Sequence, residues 1–297
     1  MSAAGGPAMS AAGSPPIVAA RRGGMPPAIM LALGWILLMV AVAVLADLIS
    51  PAHYAAQNLR ARLQPPVFWG GSWAYPLGTD AIGRDMLSRL IYGIRFSIMI
   101  AVAGTLIGAV VGTLLGIVAA ARRGWGEEVI MMLVDVQAAL PFIVLALAVL
   151  AFFGNSFVLF VVIVGLDGWE RYARLARGLV LSARESGYAV AIRTLGAGPW
   201  RVYGGHIMPN IASALVVQMT LNFPGTILLE TSLSFLGLGI QPPLTSLGLL
   251  LGSGRSLLLN AWWIAVLPGL VIFLTTLSMS LFGDWLRDRL DPTLADR

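Results

Sequence analysis

GYAVAIRTLGAGPWRVYGGHIMPN, residues 187–210, is the stretch around which the chain is organised. It carries Arg193 and Arg201 and no long apolar run, yet segments apolar enough to enter a bilayer flank it on both sides. A polar excursion set this deep between spans faces another protein. Ala191 permits close approach, and Gly196 and Gly198 permit a sharp turn at a helix end. Pro199 and Pro209 stiffen the exits. The expectation is a short amphipathic helix between two tight bends; the plainer alternative is a loop that only connects spans.

Everything around this loop has the composition of a membrane protein. Of 297 residues, 58% are hydrophobic and 11% are charged, against about 25% charged in soluble domains. The absences exclude whole classes of chemistry. Without Cys there are no disulfides, iron–sulfur clusters or thiolate zinc sites. All nineteen basic residues are Arg, so neither a phosphate-binding loop ending in Lys-Ser/Thr nor a Schiff-base lysine exists here. His53 and His206 are too far apart in sequence to suggest a metal site. The net charge of +5 is read as orientation signal rather than as a nucleic-acid footprint.

In chain order, residues 1–27 read as a disordered, Ala/Gly/Pro/Ser-rich tail with Arg21 and Arg22 near its end. Residues 28–49 match the ~20 apolar residues of a spanning helix. A signal peptide is the competing reading, which the length of the run disfavours. Residues 50–92 are an extracytoplasmic segment ending in turn signals, with Thr79 or Asp80 as a helix cap. Its charges read as an interfacial helix with snorkelling arginines. A second span runs from Phe96 to Ala121. Gly104, Gly108, Gly112 and Gly116 recur every four residues in it and form a smooth packing stripe. A third span, Val129–Phe153, holds Asp135 and a kink candidate, Pro141. Asp135 reads as an interfacial or helix-to-helix anchor, with a transport-path role as the alternative. The fourth span starts near Phe157 and continues as helix through GWERYARLARG. Ile211–Leu229 is the fifth, closed by Glu230. A re-entrant or extramembrane turn with Pro242 and Pro243 follows, then a sixth span, Trp262–Phe282.

With the N-terminus inside, six spans place thirteen arginines on the side of the 171–206 loop and six on the other, accounting for all nineteen. The bias puts both termini and that loop in the cytoplasm. No Ser–His pairing, HExxH motif or paired intramembrane Asp supports an intramembrane enzyme. An ion-coupled secondary transporter is the stronger rival, with Asp135 and Glu230 as its ionisable groups.

The loop also resembles a family motif. ABC importer permeases carry EAA, three residues, Gly, nine residues, then I-x-L-P. Here Val190-Ala191-Ile192, Gly196 and His206-Ile207-Met208-Pro209 keep that spacing. PLGTDAIGRDMLSR (76–89) and LETSLSFLGLGIQPP (229–243) are similar to two further segments of the dipeptide/oligopeptide C-type permeases, as are ERYARLARG and GDWLRDRLDP. Leu247 departs from that pattern, standing where the family commonly has Trp.

The resemblance implies an all-α membrane protein of six transmembrane helices, a type I ABC importer transmembrane domain. Residues 93–283 would form the five-helix core, with a coupling loop at 171–210 and a cytoplasmic tail at 284–297. It implies import of di- or oligopeptides, or of nickel or another small solute, across a prokaryotic cytoplasmic membrane. The partners implied are a homologous B-type permease, two ATPase subunits or one fused pair, an extracytoplasmic substrate-binding protein and lipid, with no nucleic acid. No cofactor is expected in this chain; ATP and magnesium would be bound by the ATPases. Tyr188, Ala191, Arg193, Gly196, Gly198 and Pro209 are the coupling residues it implies. Gly78, Thr79, Asp80, Gly83, Arg84, Asp85, Glu230, Gly237, Gly239, Pro242 and Pro243 form its extracytoplasmic signature.

Overall fold

The computed structural model describes residues 25–122, 124–185, 187, 194 and 196–290. The tail 1–24, Arg123, Tyr188, Ala191, Arg193 and residues 291–297 lie outside the described residues. Among those described, the chain is helical with long connections, and the single β-bridge joins Thr79 to Asp85.

Helix α1 (Pro27–Val44) is apolar on every side, as a bilayer requires. Trp35 fixes it by donating Nε1–H to Thr275 Oγ1, 3.1 Å away. A one-turn helix, α2 (Ala46–Ile49), follows. Helix α3 (Met86–Arg122) has 37 residues. At 1.5 Å per residue it is about 55 Å long, far more than the ~30 Å hydrocarbon layer, so its ends project from the membrane. It begins ten residues before the expected Phe96. Asp85 causes the early start, because its Oδ2 accepts from the Ser88 N–H at 2.8 Å and caps the first turn.

The expected third span is two helices, α4 (Trp125–Ala139) and α5 (Phe142–Phe153), meeting at 90°. Pro141 lacks an N–H and forces the preceding Leu140 out of helical conformation, so the chain turns rather than kinks. The fourth span is interrupted too. Helix α6 (Phe157–Gly165) has only nine residues. The chain then turns at Gly168, whose φ of +80° is open to glycine, and resumes as α7 (Trp169–Glu185). The helix expected through GWERYARLARG forms from Trp169 onward, but as a separate helix and not as a continuation of α6. Tyr172, Ala173, Ala176 and Val180 are the buried apolar face of α7, while Arg171 and Arg174 point outward.

Helix α8 (Pro199–Val202) runs through a π-helical turn, Tyr203–Ile207, into α9 (Met208–Phe235). The short α10 (Leu247–Gly254) dips back against the bundle. Helix α11 (Trp263–Leu290) runs eight residues past the expected Phe282. Four helical segments are long and apolar enough to cross a membrane, and α4–α5 makes a fifth if its two arms count as one span. Six uninterrupted spans are not present among the described residues.

Three apolar clusters hold the bundle, and α3 contributes to each. Met86, Leu90 and Ile94 pack with Leu247, Leu250 and Trp263. Ile100 packs with Leu150, Phe160 and Leu233. Ala120 packs with Ala176, Val180, Val202 and Ile207.

Candidate functional site

The glycine stripe of α3 decides how α6 and α7 lie. A Cβ on Gly108 would stand 2.9 Å from the Gly165 carbonyl oxygen, and one on Gly104 3.0 Å from Val164 Cγ1. At Gly112 and Gly116 it would overlap the carbonyls of Trp169 and Ala173. Backbone thus meets backbone along this face. Arg184 at the far end of α7 donates to the Ala120 carbonyl.

Helix α7 is also tied to α4 by charge. Arg177 Nε donates to Glu127 Oε1 at 2.7 Å, and its Nη2 lies 2.5 Å from the same oxygen. Arg174 Nη2 pairs with Asp135 Oδ1 at 2.9 Å. Asp135 thus meets a basic side chain of the neighbouring helix.

Beyond α7 lies the loop read first in the sequence. Gly196 has φ +78°, the left-handed region that favours glycine. Gly198 accepts at its carbonyl from Arg201 N and Val202 N and starts α8. Val202 and Ile207 turn inward onto Ala176 and Val180, while Trp200 is 91% exposed. Pro209 lies in the first turn of α9, directly after the π-helical turn, where it has no N–H to offer the preceding carbonyls. The segment is therefore nailed to the bundle on one side and presents a bare indole on the other.

At the opposite end, the 76–89 residues form a compact knot rather than a solvated helix. Asp80 Oδ1 accepts from the Ile82 and Arg84 amides at 3.0 and 2.9 Å. Its Oδ2 accepts from Arg84 Nε at 2.6 Å and from Arg89 Nη1. Arg89 is buried, not snorkelling. Burial pushes the Asp80 carboxyl up, but the Arg89 charge and the Arg84 hydrogen bonds outweigh it and hold the group below the usual carboxylate range. Thr79 donates its hydroxyl to the Ala61 carbonyl and accepts from Gln64 N at 2.9 Å. Trp263 Nε1 donates to the Thr79 carbonyl at 3.1 Å, which ties the knot to α11. Gly78 and Gly83 both have positive φ, and a Cβ on Gly78 would press to 2.9 Å from that indole nitrogen.

Glu230 is fully enclosed near the C-terminal end of α9. Ser97 Oγ donates to its Oε2 at 3.1 Å and Ser234 Oγ to its Oε1 at 2.8 Å. Gly237 turns the chain at φ +85°, a Cβ on Gly239 would collide with Ser234, and the Pro242–Pro243 bond is cis. Asn155, before α6, donates to the Gly239 carbonyl and pins this turn.

Sequence reasoning did not single out Ser97, Ser234 or Trp263, and placed Arg177 only among the arginines that mark the positive side. Ser97 had a signal. Gly93, Ser97, Ala101, Gly104 and Gly108 continue one small-residue stripe down α3, and all are buried. The partners of Arg177 and Trp263 are 50 and 184 residues away, and no local pattern reaches that far.

An all-α membrane bundle of this topology occurs in a solved transporter. A chain of the MetNI methionine ABC transporter in inward-facing conformations superposes with a TM-score of 0.57 at 18% identity, over 68% of this chain and 96% of that one. The fold is the transmembrane domain of a type I ABC importer. Residues 112–296 match the family described as binding-protein-dependent transport system inner membrane component. Residues 27–66 match the N-terminal transmembrane domain of oligopeptide transport permease C. The chain belongs to this family of binding-protein-dependent inner-membrane permeases. It is 39% identical to the di/tripeptide transport system permease protein DppC of Pseudomonas aeruginosa, over 88% of this chain and 86% of that protein. Similarity to the dipeptide permease DppC of Escherichia coli K12 is 40% over 88% and 87% of the two chains. The glutathione transport system permease protein GsiD of Pectobacterium atrosepticum is 39% identical over 88% and 85%.

Proposed function

We propose that this chain is one half of the translocation pathway of an ATP-driven importer of di- or oligopeptides. The observation that carries the substrate class is the 39–40% identity, over 88% of the chain, to permeases whose names specify dipeptides, di/tripeptides and glutathione, itself a small peptide. A homologous B-type permease forms the other half. Two ATPase subunits, or one fused pair, bind ATP and magnesium, and a substrate-binding protein delivers cargo from outside. Both termini and the 171–210 loop face the cytoplasm.

The segment 187–210 is the docking element in this reading. Trp200 is its exposed anchor, of the residue type that dominates protein interfaces. Gly196, Gly198 and Pro209 shape it, and Tyr188, Ala191 and Arg193 add contacts. Because Val202 and Ile207 are buried against α7, a push on Trp200 moves α7 and α9 together. Motor closure then becomes a two-state shift of the bundle. The 76–89 knot and the 230–254 cap face the binding protein.

A mild-detergent pull-down of the tagged chain from its host, read by mass spectrometry, tests this. Co-recovery of a second permease and of ATPases with phosphate-binding motifs is expected. Recovery of an intact, folded chain alone would overturn the reading, and Asp135 and Glu230 would then be examined as ion-coupling groups.

A further inference from the structure

Helix α10 has eight residues, too few to hold itself in place without tertiary contacts. Its seat combines an apolar cluster around Leu247 and Leu250 with close backbone approaches and one carboxyl group. Gly93 of α3 faces Leu247, where a Cβ would lie 3.4 Å from the Leu247 nitrogen. Gly248 faces α9, with a Cβ 2.7 Å from Thr231 Cα, and Gly254 faces α11, with one 2.6 Å from Ala265 N. The helix is wedged among three others at these glycines, while Leu247 and Leu250 fill the space toward Met86, Leu90, Ile94 and Trp263.

The polar part of the seat is a relay through Ser97. Ser97 Oγ accepts from the Leu247 N–H at 3.0 Å, so its single proton is left for Glu230 Oε2. Ser234, one turn beyond Glu230, donates to the other oxygen. Ser246 caps α10 by accepting from Leu249 N at 3.2 Å. The first N–H of α10 is thereby satisfied from α3, and α3 is fastened to α9 through the carboxyl. None of the ion pairs among the described residues includes Glu230. It therefore acts as a hydrogen-bond hub and not as half of a salt bridge.

We infer that Glu230 is a positioning residue that, through Ser97, locks the re-entrant helix α10 to the outer ends of α3 and α9, so that the outer cap moves with those helices as one piece. A separately hinged flap is excluded by this arrangement. That the cap closes a transport pathway rests on the importer reading above; the lock itself does not.

Amide hydrogen exchange on the full-length chain in lipid nanodiscs tests the lock. Glu230→Ala should speed exchange across 247–254 by about tenfold, with α11 and the inner half of α9 unchanged. Ser97→Ala, which removes the same relay with little loss of volume, should do likewise and decides the matter if Glu230→Ala does not fold. Glu230→Gln should restore slow exchange, because the serine hydroxyls can donate to its oxygen and accept from its nitrogen. Unchanged exchange at 247–254 in the alanine variants would overturn the lock. So would equal acceleration through all helices, or Glu230→Gln matching Glu230→Ala. Failure here leaves co-recovery of the ATPases unaffected, so the lock and the importer reading fail separately.

Discussion

Arg177 of α7 and Glu127 of α4 form a close ion pair, 2.5 Å at its nearest approach, with side chains only 34% and 19% exposed. One turn earlier on α7, Arg174 pairs with Asp135, but these side chains are 45% and 70% exposed. The pairs tie the same two helices and differ mainly in how far water reaches them.

That difference sets an order. Breaking the half-buried pair with Arg177→Ala leaves a carboxylate poorly solvated and should cost on the order of 1–2 kcal/mol, between the exposed and fully buried limits. Arg174→Ala should cost less than about 1 kcal/mol. Thermal unfolding in detergent checks this, and a larger drop in midpoint for Arg174→Ala would contradict it.

The glycine stripe predicts a contrast along one chain. Gly112→Ala and Gly116→Ala drive a methyl into a carbonyl of α7, and overpacking of this kind costs about 1–3 kcal/mol. Gly126→Ala, with its nearest atom 3.5 Å away, should be neutral or slightly stabilising, since Ala is the better helix former by roughly 1 kcal/mol. Expression level and melting midpoint of the three variants give the comparison; equal behaviour would remove the packing role.

Much of this was legible because bilayer helices are written in long apolar runs and close helix contacts in small residues. The runs around 96–121 and 211–229 fall within helices; 28–49 does so apart from a break at Leu45, and 262–282 from Trp263 onward. The glycines at 104–116 sit where α6 and α7 approach. What hydropathy did not show was interruption. A nine-residue α6 is as apolar as the start of any span, and only Gly168, with its positive φ, turns it away. Pro141 was visible, but a 90° turn and a gentle kink have the same residues. Arg89 read as a snorkelling side chain because its partner, Asp80, lies nine residues back across a turn. The hub at Glu230 joins residues 133 apart and has no local signature.

Asp80 gives the 76–89 knot a pH dependence with a definite sign. Its carboxyl is held below the unfolded value, so the stability it contributes is complete above the unfolded pKa, about 3.9. It is lost as pH falls through the lower folded value. Wild-type melting midpoints should therefore fall steeply below about pH 4. Asp80→Asn should start lower at neutral pH, because Arg89 loses its buried partner, and should show a shallower acid slope. Parallel slopes for the two proteins would mean that Asp80 is not the group responsible.

The exposed indole of Trp200 separates docking from folding. Trp200 is exposed at the rim of an apolar groove, while Val202 and Ile207 make the inward contacts of that segment. Trp200→Ala should leave the melting midpoint within about 1 °C of wild type, as expected of a surface substitution. If Trp200 is an interface anchor worth 2 kcal/mol or more, its loss weakens ATPase binding by roughly thirtyfold. Gly196→Val should act on the same contact by a different route, because a β-branched residue resists the +78° φ found there. Both variants should stay membrane-inserted while peptide uptake falls and the ATPases drop out of the detergent-purified complex. Full ATPase recovery with Trp200→Ala and normal uptake would place the docking surface elsewhere on the chain.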